Sequence, residues 1–213
     1  MKRLLVLLIT SLATVTLFAQ TKPTAFKKFY MDFGTGPASH NGSLVSIGAR
    51  GVLKNNWTAS LSFYSLNMDP KNLPSNYKQG YTLLLIFPVM DPMPSVKMNV
   101  FNFTGGRFFQ LGRKTWITTE AGLSIGTGET MNFTSQPIED DFFYVSSNYS
   151  TQKKSQTTIG GMLRTDFNWA FTPYAGLSVG AFGNLNSIQS PVGMEIKLIA
   201  GWLNTKKRNK STF

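Results

Sequence analysis

The sequence predicts an all-β chain: an antiparallel up-and-down transmembrane β-barrel of eight strands, placed behind an N-terminal export signal. Three observations predict it. The first residues have the make-up of a secretory leader. Eight later segments alternate apolar and polar side chains over the length a tilted strand needs to cross a bilayer. The connections between those segments are short at one end and longer at the other, the layout of barrels in bacterial outer membranes.

The leader is residues 1–19. Lys2 and Arg3 supply a positive start, Leu4 to Ile9 opens an apolar stretch that runs to Phe18, and Ala19 precedes Gln20 as the cleavage point. The stretch is too short and too weakly flanked to be a spanning helix. Leu17 stands where a smaller residue is usual. Residues 20–204 are assigned to the barrel and 205–213 to a basic periplasmic tail.

The mature chain has no second apolar run of helix-spanning length. The longest is Leu83 to Phe87, extended past Pro88 only by Val89 and Met90. A spanning strand needs only about 9–11 residues. Period-2 alternation marks 27–36, 43–53, 57–67, 96–109, 115–127, 157–169, 174–185 and 191–203 as strands. In 191–203, Met194, Ile196, Leu198, Ala200 and Trp202 oppose Gly193, Glu195, Lys197 and Gly201. In 115–127, Ile117, Ala121, Leu123 and Ile125 oppose Thr118, Glu120, Gly122 and Ser124. The alternation in 96–109 slips near Gly105-Gly106, which reads as a bulge or a point where the barrel bends. Residues 81–89 and 142–150 could each add a strand, raising the count to ten.

The short connections, Lys54-Asn55-Asn56, Gln110 to Lys114 and Ala170 to Pro173, follow strands two, four and six. They define the periplasmic end. The long ones, 68–95 and 128–156, then face outward. All four tryptophans lie at the short-turn end, so Trp57, Trp116, Trp169 and Trp202 are expected to form a girdle at the membrane interface. Strict alternation turns Trp116 inward, so it fits this ring least well. Phe29, Phe109 and Tyr174 join them. Lys27, Lys28, Lys54, Arg113 and Lys114 collect at the same end, followed by Lys206, Lys207, Arg208 and Lys210.

That distribution explains the basic balance. Removing Lys2 and Arg3 with the leader leaves 19 basic against 10 acidic residues, +9 rather than the +11 of the whole chain. In an exported chain it points to anionic lipid headgroups rather than nucleic acid. The absence of cysteine removes disulfides and thiol chemistry, and a single histidine, His40, removes a histidine-rich metal site. No cofactor or metal site is expected.

The inward faces carry Asp32, Arg50, Glu120, Arg164, Asp166, Glu195 and Lys197. Buried charges are tolerable only when paired and hydrogen-bonded, which predicts a salt-bridged lumen network. Small inward positions at Gly48, Gly122, Gly176 and Gly180 leave room for a narrow cavity, or for Tyr30 and Phe182 to pack. An eight-stranded barrel is just wide enough to be filled by side chains, so a wide pore is not expected.

The leader ending Phe18-Ala19-Gln20 carries a resemblance. So do the stretch Gly105 to Arg113 leading into Glu120-Ala121-Gly122-Leu123-Ser124, and the closing strands around Phe171-Thr172-Pro173 and Gly193 to Trp202. Together they resemble the outer-membrane β-barrel proteins of Bacteroidetes, akin to the small OmpA-like barrels. The resemblance implies location and fold and brings no catalytic residues.

The expected function is a structural, adhesive or accessory one, exerted through the loops 68–95 and 128–156 toward a protein or surface partner, with outer-membrane lipid around the barrel. Oligomeric state stays open. One alternative is a lipid-modifying enzyme using His40 with Ser39 or Ser43 and with Glu129 or Asp140, since a general base needs a nucleophile and an orienting partner in reach. Another is a soluble periplasmic barrel for a small apolar ligand, which would need polar outward faces where Ile117, Leu123, Leu177, Val179, Ile196 and Leu198 stand. The barrel expectation has a direct readout: unboiled protein should migrate faster in a detergent gel than boiled protein. Identical migration would count against it.

Overall fold

The computed structural model describes residues 26–84, 87–91, 93–138, 140–141 and 144–203. The leader 1–19 and the tail 205–213 lie outside these residues. Twelve strands run in order: β1 (Phe26–Ala38), β2 (Gly42–Leu53), β3 (Trp57–Met68), β4 (Tyr81–Leu84), β5 (Phe87–Met90), β6 (Val96–Gln110), β7 (Thr115–Ser135), β8 (Asp140–Asp141), β9 (Tyr144–Val145), β10 (Tyr149–Ala170), β11 (Ala175–Asn186) and β12 (Val192–Trp202).

Eight of them close a barrel in the order β1-β12-β11-β10-β7-β6-β3-β2, every pair antiparallel. Closure leaves no unpaired edge within the ring. These eight match the eight expected segments. The ten-strand alternative is set aside: the extra strands exist, but β5, β4, β9 and β8 pair with one another in a separate four-stranded sheet.

The alternation holds along each barrel strand. Outward residues include Phe33, Val45, Ile47, Leu61, Phe101, Phe103, Leu123, Ile125, Leu163, Phe167, Val179, Ile196 and Leu198, all exposed. A soluble protein rarely leaves so broad an apolar surface bare. The soluble-barrel alternative required polar side chains at these positions.

The expected bulge at Gly105-Gly106 is not there. β6 pairs without interruption with β3 (Ala59↔Gly105, Thr58↔Gly106) and with β7 (Gly105↔Ala121, Gly106↔Glu120). The slip in the sequence has another cause. Val96, Met98 and Val100 are inward yet apolar, while Lys97 and Asn99 point outward beside them. A polar-in, apolar-out rule misreads that end of the strand. A register shift does occur elsewhere, between Phe26 and Lys28 where β1 meets β2.

β7 and β10 run beyond the expected limits of 127 and 157. Their register continues from Thr157↔Thr127 to Tyr149↔Ser135. The added part of β10, Tyr149-Ser-Thr-Gln-Lys-Lys-Ser-Gln, is polar on both faces, so it carries no alternation to read. It forms a two-stranded ribbon past the outer rim.

Glycine matters most at the seam between β6 and β7. A Cβ at Gly122 would stand 1.9 Å from the carbonyl oxygen of Phe103, and one at Gly106 equally close to that of Thr119. Backbone blocks both positions. At Gly161 the nearest atom would be 3.9 Å away. Gly122→Ala should therefore destabilise by about 1–3 kcal/mol, the usual cost of forcing atoms into filled space, and Gly161→Ala should not. The temperature at which the compact gel band disappears measures both.

Candidate functional site: the charged lumen and the outer ribbon

Eight strands enclose a narrow interior, and alternation delivers every second side chain into it. Those side chains sort by height. Toward the outer loops, Leu44, Tyr64, Leu66, Met68, Val96, Met98, Val100, Met162 and Phe182 form one buried apolar cluster, joined by Met131. Toward the short turns, Tyr30, Val52, Phe108, Trp116, Ala170, Ile199 and Leu203 form another. Between them on the strands lie Arg50, Glu120, Arg164, Asp166, Glu195 and Lys197, all buried.

These six charges, three of each sign, are joined by ion pairs. The guanidinium of Arg50 bridges two strands: Nη2 lies 2.6 Å from Asp166 Oδ2, and Nε lies 2.9 Å from Glu120 Oε1. The second contact is an ion pair at an angle that does not make a hydrogen bond. Arg164 Nη2 lies 2.8 Å from Glu120 Oε2, and its Nε 3.3 Å from Asp166 Oδ2. Lys197 Nζ links Asp166 Oδ1 at 2.6 Å to Glu195 Oε1 at 2.8 Å.

Hydroxyl groups add hydrogen bonds to these charges, leaving Arg50 Nε, Arg164 Nε and Glu120 Oε1 with ion-pair contacts alone. Arg50 Nη1 donates to Tyr30 Oη (3.0 Å) and Thr118 Oγ1 (2.9 Å). Glu120 Oε2 accepts from Ser60 (2.9 Å) and Thr104 (3.0 Å). Glu195 accepts from Ser46 (2.8 Å) and Tyr64 (2.9 Å). Desolvated charges need such hydrogen bonds, because ion pairing alone rarely offsets the loss of water.

Asp32 departs from expectation. It is inward and buried, but it belongs to no ion pair among the described residues, and its Oδ1 has no hydrogen-bond partner. The register gives the reason: its neighbours across the ladders are Gly48 and Ile199, neither of which brings a side-chain donor. Lys28, expected with the basic residues of the rim, is instead inside. Even-numbered residues of β1 face inward, and Lys28 Nζ donates to the Leu203 carbonyl and sits 4.1 Å above the Trp116 ring.

Trp116 needs correction in the same way. It is fully buried in the lower apolar cluster, where strict alternation turns it inward, so it is no part of an outward girdle. The other three tryptophans face out. Trp57 and Trp169 are exposed, and Trp202 is partly so, paired across β1 with Phe29. Arg107 lies 4.1 Å over the Trp57 ring, and Trp169 packs edge-on against Phe171 at 4.9 Å. Exposed Phe109, Leu111 and Tyr174 continue the ring. Tyr30 and Phe182 lie against Gly201 and Gly193, whereas Gly48 and Gly180 abut the carboxylates of Asp32 and Asp166. Tyr30 packs on Trp116, and Phe182 stands edge-on to Tyr64 with centroids 5.4 Å apart.

The residues of the enzyme alternative are not assembled. His40 occupies a left-handed turn position, φ 58°, and its carbonyl accepts from the Asp69 amide. The Ser39 hydroxyl accepts from the Val192 amide. Burial would raise the Glu129 pKa, but the Lys97 amide at 3.1 Å and Lys153 at 3.3 Å hold its carboxylate below the usual range. Among the described residues no hydrogen bond joins these groups to the His40 ring.

The outer ribbon is held from the β7 side. Asn72 Nδ2 donates to the Met131 carbonyl (2.6 Å), and Tyr77 packs on Phe133 and Tyr149. Lys78 N donates to Asn148 Oδ1, and Asn148 Nδ2 donates to the Asn76 carbonyl.

No protein-family model matches the chain, and no curated protein matches it. Solved structures do. The N-terminal β-barrel domain of Pseudomonas aeruginosa OprF is similar at TM-score 0.51 and 10% identity, over 83% of this chain and 98% of that one. Neisserial surface protein A is similar at TM-score 0.50 and 14% identity, over 82% and 96%. Ail, the attachment invasion locus protein of Yersinia pestis, gives TM-score 0.46 and 9% identity, over 81% and 95%. The first two show the fold, a closed barrel of antiparallel strands.

Glu120 is the hub of the lumen. Glu120→Ala leaves Arg50 and Arg164 each without one anion in a water-poor interior, and should cost about 3–5 kcal/mol. Denaturant unfolding of the reconstituted barrel measures it. A loss below about 1 kcal/mol, the range of exposed pairs, would show the network to be solvated.

Proposed function

We propose that the chain is an outer-membrane barrel that seals its own lumen and holds a rigid contact surface outside the cell. The observation that carries this reading is the layered interior: a belt of six ion-paired, hydrogen-bonded charges between two apolar clusters, inside a wall whose outer face is apolar. Lipid fits the wall. No route for solute is left through side chains packed at this density.

Orientation follows from the rims. Short turns, Trp57, Trp169 and Trp202, and the basic residues Lys54, Arg113 and Lys114 mark the periplasmic side, where anionic headgroups attract them. The ribbon of β7 and β10 and the loops within 68–95 and 128–156 then project outward and form the contact surface for a protein or surface partner. Residues 1–19 are proposed as a leader cleaved before Gln20, and 205–213 as a periplasmic tail. The leader ending and the Gly105 to Arg113 stretch support a Bacteroidetes origin. A structural role in the envelope and an adhesive one both use this architecture.

The test is reconstitution in vesicles and planar bilayers. Variants keeping a single tryptophan should show strong quenching by brominated lipids for Trp57, Trp169 and Trp202, and little for Trp116. The bilayers should show no stable open-channel current. Steady channel steps would overturn the sealed lumen, and unquenched Trp57 and Trp169 would overturn the membrane placement.

A further inference from the structure

The outer ribbon has two edges, and they are treated differently. On the β7 edge, Asn72 takes the Met131 carbonyl, the Lys97 amide takes Glu129, and Tyr77 covers Phe133. On β10, Tyr149 is held by Tyr77, Asn76 and the Ser147 hydroxyl on its carbonyl, but the edge beyond it has no such cover. β11 ends at Asn186, opposite Gly160, so from Tyr149 to Thr157 the second edge of β10 meets no strand among the described residues. Ser150 to Thr157 are exposed on both faces. Alternate amides and carbonyls there point to solvent from a strand already held straight by its partner.

From this we infer that the β10 edge, Tyr149 to Thr157, takes up an extended acidic polypeptide as an added antiparallel strand. The inference rests on the proposed outward placement of the ribbon. Backbone hydrogen bonds would supply affinity, and side chains of the incoming segment the choice of partner. The edge is preorganised, since the ribbon is fixed through β7 and the 72–78 loop, which lowers the ordering cost of binding.

Charge decides the occupant. Lys153 and Lys154 stand at the middle of the bare stretch, one on each face. Lys153 is half exposed beside Glu129 at 3.3 Å, and Lys154 has no ion pair among the described residues. A second copy of this chain fits badly. Antiparallel overlap of Tyr149–Thr158 with itself puts Lys153 of one copy opposite Lys154 of the other, and like charges directly opposed are destabilising. Edge lysines that discourage self-pairing favour a strand carrying glutamate or aspartate on both faces.

The experiment uses the full mature chain in lipid nanodiscs. The probe is an N-acetylated, C-amidated ten-residue peptide, Val-Val-Glu-Glu-Val-Val-Glu-Glu-Val-Val, which as a strand carries glutamate on both faces. Its fully N-methylated counterpart keeps the charge and loses the strand donors. Amide hydrogen exchange across 149–157 is read with each. The unmodified peptide should slow alternate amides of this stretch by about tenfold or more, since exchange protection tracks local hydrogen bonding. The methylated peptide should not. The double variant K153E/K154E should weaken binding by about tenfold, with gel migration unchanged. Equal binding of both peptides would overturn the inference in favour of simple polyanion attraction. Protection without peptide, accompanied by dimer mass, would overturn it in favour of self-pairing. No protection in a barrel that is still heat-modifiable and tryptophan-quenched would overturn it alone, whereas loss of those two signals would overturn the membrane reading beneath it.

Discussion

Ring closure around buried charge is the constraint on which the molecule depends. Arg50 on β2 reaches Glu120 on β7 and Asp166 on β10, strands that are not its neighbours in the ring. Lys197 on β12 reaches Asp166 from another side. These pairs cross the lumen and tie its walls together. Each charge is desolvated, so each is tolerable only while its partners stay in place. The apolar clusters above and below keep water from substituting for a missing partner.

The layering also sets what the barrel is suited to do. A polar, hydrated interior suits conduction, and a uniformly apolar one suits a greasy ligand. This interior is neither. Tyr30 and Tyr64 stand at the boundaries, each with its ring in an apolar cluster and its hydroxyl on an arginine or a carboxylate. Chemistry inside is thereby spent on holding shape, and on the proposed reading recognition is left to groups beyond the barrel.

Much of this was legible in the sequence. Alternation located all eight barrel strands and, β7 and β10 apart, set their limits to within a few residues, because each has one apolar outward face and one face in the lumen. The charges Arg50, Glu120, Arg164, Asp166, Glu195 and Lys197 were found by parity alone. What parity does not give is reach. Asp32 has the right face and the wrong neighbours. Tyr64, Ser46, Ser60 and Thr104 share the same inward parity and serve as donors, yet hydroxyls on a lumen face do not stand out in sequence. Leu44, Leu66, Met98 and Met162 were harder still, since apolar residues inside a membrane barrel invert the usual polar-in rule. Trp116 shows the competing weights: its place near a turn suggests the interface, and its parity, which decides, sends it inward. The ribbon was illegible for a different reason, because a strand wet on both faces has no alternation.

The cross-lumen pairing bears on how the chain is assembled. Before β1 meets β12, the sheet is an open ribbon, and Arg50 stands far from Glu120 and Asp166 along its curve. In that state Arg50 would lack both of its carboxylates, while Arg164–Glu120, made across neighbouring strands, and Lys197–Glu195, made within one strand, need no closure. An open sheet therefore leaves the Arg50 charge uncompensated, and closure supplies its partners. The Arg50 pairs that brace the finished cylinder thus also favour the closed ring over any open form of the same sheet.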